Sequence, residues 1–276
     1  MNGRRALLGA TLRKLRLERG LTQVQLADAS GIGQAWISRI ESGRTIPEAK
    51  TIEQLAAAMH LAPRVRGALL AEASELRAEL AEWPSVAQEG MRQRQERIRG
   101  IEASASEIRV FQPAIVPGLL QLPAYARHVF AAGQEFTGAS DVQEATQARA
   151  DRQQILFDAS KRFVFLMTEQ ALRWRIGPAA TMAAQAERIA SALGQDNVTI
   201  GLIPFTEVVP LPPLHTFTIY DGRLVMLEAL DDILILYGET DAALYGRLFE
   251  AFGRHALWGT DTRPLLDAAR RDFLRS

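Results

Sequence analysis

The chain has 276 residues, 47% of them hydrophobic, a formal net charge of zero and no cysteine. That length and apolar content can bury a sizeable core and accommodate two domains, while the lack of cysteine excludes disulfides, thiolate metal sites and cysteine nucleophiles. Zero charge hides an asymmetry: residues 1–62 carry nine Lys/Arg against five Asp/Glu, and residues 111–276 carry fifteen against nineteen. A basic head can attract phosphate within a neutral protein, because the attraction acts over a Debye length of about 8–10 Å. The acidic remainder is a poor DNA surface. No apolar run approaches membrane-spanning length, and Met1-Asn2-Gly3-Arg4-Arg5 leads into a charged amphipathic segment without a secretory apolar core. A cytoplasmic location and no membrane partner are expected. His60, His128, His215 and His255 are scattered singly, which predicts surface or satisfied core residues and no metal site or cofactor.

Leu8, Leu12 and Leu15 repeat at helical spacing up to Gly20, where a left-handed C-cap is expected. Thr22 can cap a second helix bearing Leu26 and Ala27. Gly31 stands where a tight inter-helix turn needs positive φ, and Ile37 and Ile40 give a third helix, from about Gln34 to Ser42, its inward face. Pro47 can open a fourth, with Ile52, Leu55, Ala56 and Met59 on one side. The second and third helices form a helix-turn-helix.

Over residues 8–61 the chain resembles the Xre-type, lambda-repressor-like DNA-binding domain, the resemblance resting on Leu21-Thr22-Gln23, Leu26-Ala27, Gly31, Ile37-Ser38-Arg39-Ile40-Glu41 and Gly43-Arg44. It implies that the third helix enters the major groove of double-stranded DNA, with Gln34, Ala35, Trp36, Ser38 and Arg39 presented to base edges. Gln can bond adenine, Arg can bond guanine, and Ala can touch a thymine methyl. For Trp36 two readings stand: apolar contact with thymine methyls or sugar, or packing onto the neighbouring helix. Thr22, Gln23 and Arg44 are expected on the sugar-phosphate backbone, where contacts set position without reading sequence. The resemblance also sets Arg16 against Glu41 as an internal ion pair, giving Glu41 a scaffold role.

Beyond Leu61-Ala62-Pro63, Ala68, Leu69, Ala73, Leu76 and Leu80 make an apolar helical stripe that Trp83-Pro84 interrupts. A charged stretch from Gln88 to Glu107 follows, including Met91-Arg92-Gln93-Arg94-Gln95-Glu96-Arg97-Ile98. Its arginines read either as a second DNA contact or as a solvated helix face balanced by glutamates, the second being the commoner case. The segment 63–105 is expected to connect domains and help two subunits pair.

From Glu107 the pattern is mixed. Short runs suited to strands occur at Ile108–Gln112, Arg162–Thr168, Asn197–Pro204, His215–Tyr220, Leu224–Leu230 and Ile233–Tyr237, with helical stretches at 118–131, 141–159, 179–193, 239–257 and 263–274. This predicts an α/β or α+β domain with one mixed sheet. Asp221-Gly222 is a hairpin signal, so part of that sheet is antiparallel. There is no phosphate loop, serine nucleophile elbow or paired-histidine metal motif in the sequence, so no catalytic residue and no enzymatic activity are expected.

Ile108-Arg109-Val110-Phe111, Pro117-Gly118-Leu119-Leu120-Gln121, Tyr125-Ala126, Arg149, Arg152-Gln153, Leu156 and Glu169-Gln170-Ala171-Leu172-Arg173 stand in one order, continued by Asn197-Val198, Ile203-Pro204, Phe217-Thr218 and Leu227-Glu228. Over roughly residues 100–270 this resembles the domain of unknown function that follows an Xre-type head in many actinobacterial regulators. Leu122, Ala124 and Pro210-Leu211-Pro212-Pro213 depart from its usual pattern. The resemblance implies a regulator of development or antibiotic production, often encoded beside a small protein that would be its partner. Pro117, Gly118, Gln121, Tyr125, Arg149, Arg152, Arg173 and Glu228 are the positions to examine for a ligand or partner pocket; the alternative is a helix start, core packing and surface ion pairs.

The organisation expected is therefore a helix-turn-helix head of four to five helices over 1–62, a helical connector over 63–105 and a regulatory or partner-binding domain over 106–276. The function expected is a homodimeric, sequence-specific transcriptional regulator whose C-terminal domain senses a small-molecule effector or binds a small protein. The alternative is an antitoxin-like autorepressor whose C-terminal domain sequesters a small partner.

Overall fold

The computed structural model describes residues 2–43, 45–80, 89–230, 232–237 and 239–275, in two compact units that meet in sequence at Trp83 and Pro84. The first contains α1 (Asn2–Glu18), α2 (Gln23–Ser30), α3 (Gln34–Glu41), α4 (Ala49–Ala58) and α5 (Pro63–Leu80). Local chemistry sets the boundaries of α2. Thr22 Oγ1 accepts from the Gln25 N–H, the Gln25 side chain accepts from the Thr22 N–H, and Gly31 closes the helix at φ 72° with its N–H on Ala27 O. Leu8, Leu12, Leu26, Ile37, Ile40, Ile52, Leu55 and Met59 form one core. At Gly9 a Cβ would lie 2.6 Å from Ile40 O and 2.8 Å from Glu41 O, so α1 crosses the end of α3 at backbone contact.

The segment expected to be a connector is divided between the units. Leu69, Ala73 and Leu76 of α5 are buried in the head core, because their stripe covers the apolar side that α1 and α4 leave open. The next helix, α6 (Met91–Ser104), packs in the second unit. The Trp83-Pro84 interruption lies outside the described residues.

The second unit continues with β1 (Glu107–Gln112), α7 (Pro123–Thr137), α8 (Val142–Arg152), β2 (Arg162–Thr168), α9 (Glu169–Arg173), α10 (Ala179–Ala192), β3 (Val198–Ile203), β4 (Phe217–Tyr220), β5 (Leu224–Glu228), β6 (Ile233–Tyr237), α11 (Glu239–Gly253), β7 (Leu257–Trp258) and α12 (Arg263–Arg275). Among the described residues they make one mixed sheet in the order β6-β5-β4-β1-β2-β3-β7. β1, β2 and β3 run parallel, joined by helical crossovers as parallel neighbours require, and β4, β5, β6 and β7 pair antiparallel. Asp221 at φ 50° and Gly222 at φ 62° form the β4–β5 turn, and the Asp221 carboxylate also accepts from the Ser106 and Glu107 N–H groups.

Side-chain alternation divides the sheet into two faces. Phe111, Val164, Leu166, Phe217, Ile219 and Val225 pack with Phe249 and Phe252 of α11. Gln112, Thr218 and Glu228 belong to the opposite register, the side of α6 and α8, and that face carries the site described below. β7 and the five-residue α9 are not among the elements that the sequence pattern predicts. β7 exists because Gly201 of β3 lacks a side chain: a Cβ there would lie 2.7 Å from the Trp258 ring. That pairing is tertiary and too short for periodicity to reveal.

Candidate functional site

In the head, Gln34, Ala35, Trp36 and Arg39 of α3 are exposed on one surface and Ser38 is half-buried among them. Ile37 and Ile40 point inward from the same helix. Trp36 remains 42% exposed, and the Arg39 guanidinium lies over its ring, 5.8 Å from the centroid. That stacking holds a long, rotamer-rich side chain in one orientation before any contact is made.

A polar chain anchors this surface. Arg16 of α1 donates from Nε and Nη2 to both carboxylate oxygens of Glu41, at 2.6 and 2.9 Å. Gln23 donates to Glu41 Oε2 at 2.9 Å, and Gln34 donates to Gln23 Oε1 at 2.9 Å. The ion pair implied by the first resemblance is thus present, and it reaches through Gln23 to the first residue of α3. Burial alone would push the Glu41 carboxyl up, but hydrogen bonds from Arg16 and Gln23 and the charges of Arg16 and Arg13 hold it below the ordinary carboxylate range. The Gln23 amide is engaged inside the protein, by Glu41 on its nitrogen and by Gln34 on its oxygen. Thr22 is exposed, and its hydroxyl hydrogen is still available while the oxygen caps α2. Arg44 lies outside the described residues.

In the second unit a cavity of about 340 Å³ opens between α6, α7, α8, the segment after β1 and the end of β5. Of the residues singled out from sequence, Gly118, Gln121, Arg149, Arg152 and Glu228 line it. Pro117 borders a separate void of about 30 Å³ beside Glu102. Tyr125 is core: its buried hydroxyl accepts from the Val116 N–H at 3.4 Å, and burial pushes its pKa to about 12. Arg173 is elsewhere, donating to Glu169 at 2.6 Å and Asp272 at 2.7 Å to tie α9 to α12.

Arg149 and Arg152 sit one helical turn apart on α8 and are both more than nine-tenths buried. They share Gln95 Oε1, which accepts from Arg149 Nε at 3.1 Å and Arg152 Nη1 at 2.9 Å. Arg149 Nη1 also donates to Gln121 Oε1 at 2.6 Å, and its guanidinium carbon stands 4.2 Å from the Phe130 ring centroid. Burial, then the charge of Arg152, pushes the Arg149 pKa down to about 9, so it remains cationic at neutral pH. Arg152 Nε lies 3.2 Å from Glu102 Oε2, but at an angle that makes no hydrogen bond for either atom. Burial raises the Glu102 pKa to about 7 despite Arg152.

Arg94, Gln95 and Glu102 carry no motif, and Arg94 and Gln95 fall in an arginine run whose pattern predicts a solvated face. Arg92 and Arg99 are exposed as expected, but Arg94 and Gln95 are buried, and Arg94 donates to Ala229 O and Asp232 O. The signal was positional. Positions 94, 95 and 102 share the helical stripe of buried Met91 and Ile98, and a polar residue in an apolar register is the mark of an internal polar site.

The exposed α3 surface and the mixed-sheet domain define a helix-turn-helix protein with a large accessory domain. Family models agree: one described as a helix-turn-helix domain matches residues 7–69, and one described as "Domain of unknown function (DUF5753)" matches residues 95–268. The chain belongs to the DUF5753 family. It is 52% identical over 54 residues to the HTH-type transcriptional repressor RghR of Bacillus subtilis, covering 19% of this chain and 40% of that protein. It is 32% identical over 92 residues to the immunity repressor protein of Bacillus phage phi105, covering 33% and 62%. An uncharacterized HTH-type transcriptional regulator of Sinorhizobium fredii, y4dJ, is 40% identical over 55 residues, covering 20% and 71%. The chain thus spans less than two thirds of the first two relatives. These relatives are regulators by name. No solved structure matches the chain. Among the described residues no helix is long and apolar enough to cross a membrane.

Proposed function

We propose that this protein is a homodimeric, sequence-specific transcriptional regulator whose C-terminal domain controls the head by binding an effector at the arginine-lined cavity. The observation that carries the DNA-binding half is the row Gln34, Ala35, Trp36 and Arg39, exposed on a helix that the Arg16–Glu41–Gln23–Gln34 chain fixes in place. Exposed side chains on a rigid helix can read base edges without paying for ordering on the DNA. Thr22, the N–H of Gln23, and Arg44 are assigned to phosphate. Dimerisation follows from specificity: one short helix meets few base pairs, and two heads on half-sites about one DNA turn apart, ~34–36 Å, read enough.

The test is an operator selected from random duplexes, titrated with Arg39→Ala and Arg44→Ala proteins at several salt concentrations. Arg39→Ala is expected to cost about 1–3 kcal/mol on the operator and to relax preference at one base position. Arg44→Ala is expected to weaken all duplexes alike and lower the salt slope by about one. Equal behaviour of the two proteins refutes the assignment. A footprint without two-fold symmetry, with a monomer in light scattering, refutes the dimer. A small protein co-purifying in fixed ratio and releasing the operator would make the effector a polypeptide and favour the autorepressor role.

A further inference from the structure

The cavity combines two kinds of surface. Met91, Ile115, Val129 and Phe130 contribute apolar surface, with the Phe130 ring against the Arg149 guanidinium. The guanidinium groups of Arg149 and Arg152 also line it: Arg149 donates from Nε to Gln95 and from Nη1 to Gln121, Arg152 donates from Nη1 to Gln95, and neither Nη2 is taken up by these two glutamines. Arg152 Nη2 stands 2.8 Å from where a Cβ on Gly118 would be, so glycine at 118 leaves that nitrogen room at the cavity edge. Arg94 is occupied with the carbonyls of Ala229 and Asp232.

Two buried guanidiniums share the cavity against one buried carboxylate, Glu102, which stands 3.2 Å from Arg152 Nε without a hydrogen bond, and a fixed pair of cations so incompletely matched is a site prepared for an anion. We infer that this cavity takes a small organic acid, its carboxylate on Arg149 and Arg152 and its apolar body against Met91, Ile115, Val129 and Phe130. Local charge favours a monoanion: Glu228 lies exposed at the cavity and Glu102 lies behind Arg152, so a second negative charge would be repelled. The apolar part of the lining fits an organic acid better than inorganic phosphate, which would set a hydrated ion against Met91, Ile115 and Val129. About 340 Å³ corresponds to roughly eleven water volumes, at the small end of ligand sites. The raised pKa of Glu102 is consistent, because a partly protonated carboxyl leaves Arg152 incompletely neutralised.

This inference rests on the reading of the C-terminal domain as an effector domain, and the two are tested separately. Binding to the full chain is measured by calorimetry and thermal shift for straight-chain carboxylates from acetate to decanoate, with octanamide and inorganic phosphate as controls. Saturable binding is expected for hexanoate or octanoate, with octanamide weaker by about tenfold or more, the loss of one charge-assisted contact. Gly133 lines the cavity and has open space where its Cβ would go. Gly133→Leu is therefore expected to plug the site and abolish binding without lowering the melting temperature of the unliganded protein. Arg149→Lys, which keeps the charge and loses the fork, is expected to weaken binding. The inference is overturned if no carboxylate of the series binds saturably, if Gly133→Leu binds octanoate as well as the parent, or if phosphate or octanamide binds equally well. Octanoate binding that leaves operator affinity unchanged supports the cavity assignment and refutes the control proposed above.

Discussion

Cutting the chain after Ala62 is expected to damage the head, although 1–62 contains the entire helix-turn-helix. The head core includes Leu69, Ala73 and Leu76 of α5, exposed by only 5%, 2% and 2%. Burying a leucine side chain contributes about 1.5–3 kcal/mol, so two leucines represent about 3–6 kcal/mol before Ala73 and the newly exposed faces of α1 and α4 are counted. A domain of this size has roughly 4–12 kcal/mol of net stability at 0.05–0.15 kcal/mol per residue. Losing α5 therefore removes between about a quarter and all of it. Urea unfolding followed by circular dichroism is the assay, on fragments 1–62 and 1–80. Fragment 1–80 is expected to unfold cooperatively, and 1–62 to unfold about 1.5 M or more earlier or without a baseline, taking an m-value of about 1–2 kcal/mol per M. Leu69→Ala and Leu76→Ala within 1–80 should each cost about 2–5 kcal/mol. Midpoints for 1–62 and 1–80 that agree within about 0.3 M, inside the extrapolation error, would refute the assignment of α5 to the head core.

The remaining predictions concern buried charge. Arg16→Met alone is expected to destabilise the head by about 3–5 kcal/mol by stranding the Glu41 carboxylate, whereas Arg16→Met with Glu41→Leu should cost much less; equal losses in the single and double variants would contradict a desolvated pair. Because Glu41 is held below its ordinary value, its contribution is present above the unfolded pKa and lost as pH falls through the folded one, so Glu41→Gln should remove an acid-side loss of stability in fragment 1–80. Glu102 has the opposite sign. Its pKa is raised from 4.5 to about 7, so the folded state holds a proton that the unfolded state releases, and stability falls as pH rises between these values. The loss is about 3 kcal/mol at full amplitude. Glu102→Gln should flatten this part of the full chain's melting profile and raise stability at pH 8; a parent profile that rises over the same window would overturn the account.

What the sequence determined by itself was local. Thr22 with Gln25 starts α2, Gly31 ends it, and Ile37 and Ile40 decide which side of α3 faces inward and so which side remains for DNA. Alternating apolar residues and Asp221-Gly222 likewise specify β4, β5 and the turn joining them. These features depend on neighbours within a few positions, where backbone sterics and helical or strand period act directly. Tertiary structure decided the rest. It assigned α5 to the head and α6 to the other unit, though both read as connector, because docking depends on which distant core has an uncovered apolar side. It separated Arg149 and Arg152 from Arg173, three arginines in one ordered pattern, by giving Arg173 carboxylates on Glu169 and Asp272 while packing the other two against Gln95, Gln121 and Phe130. It also brought Arg94 and Gln95 into the cavity from a stretch that composition marked as solvated. Burial and partnership belong to surfaces that meet only after folding, and a residue's charge alone does not say which surface it will meet.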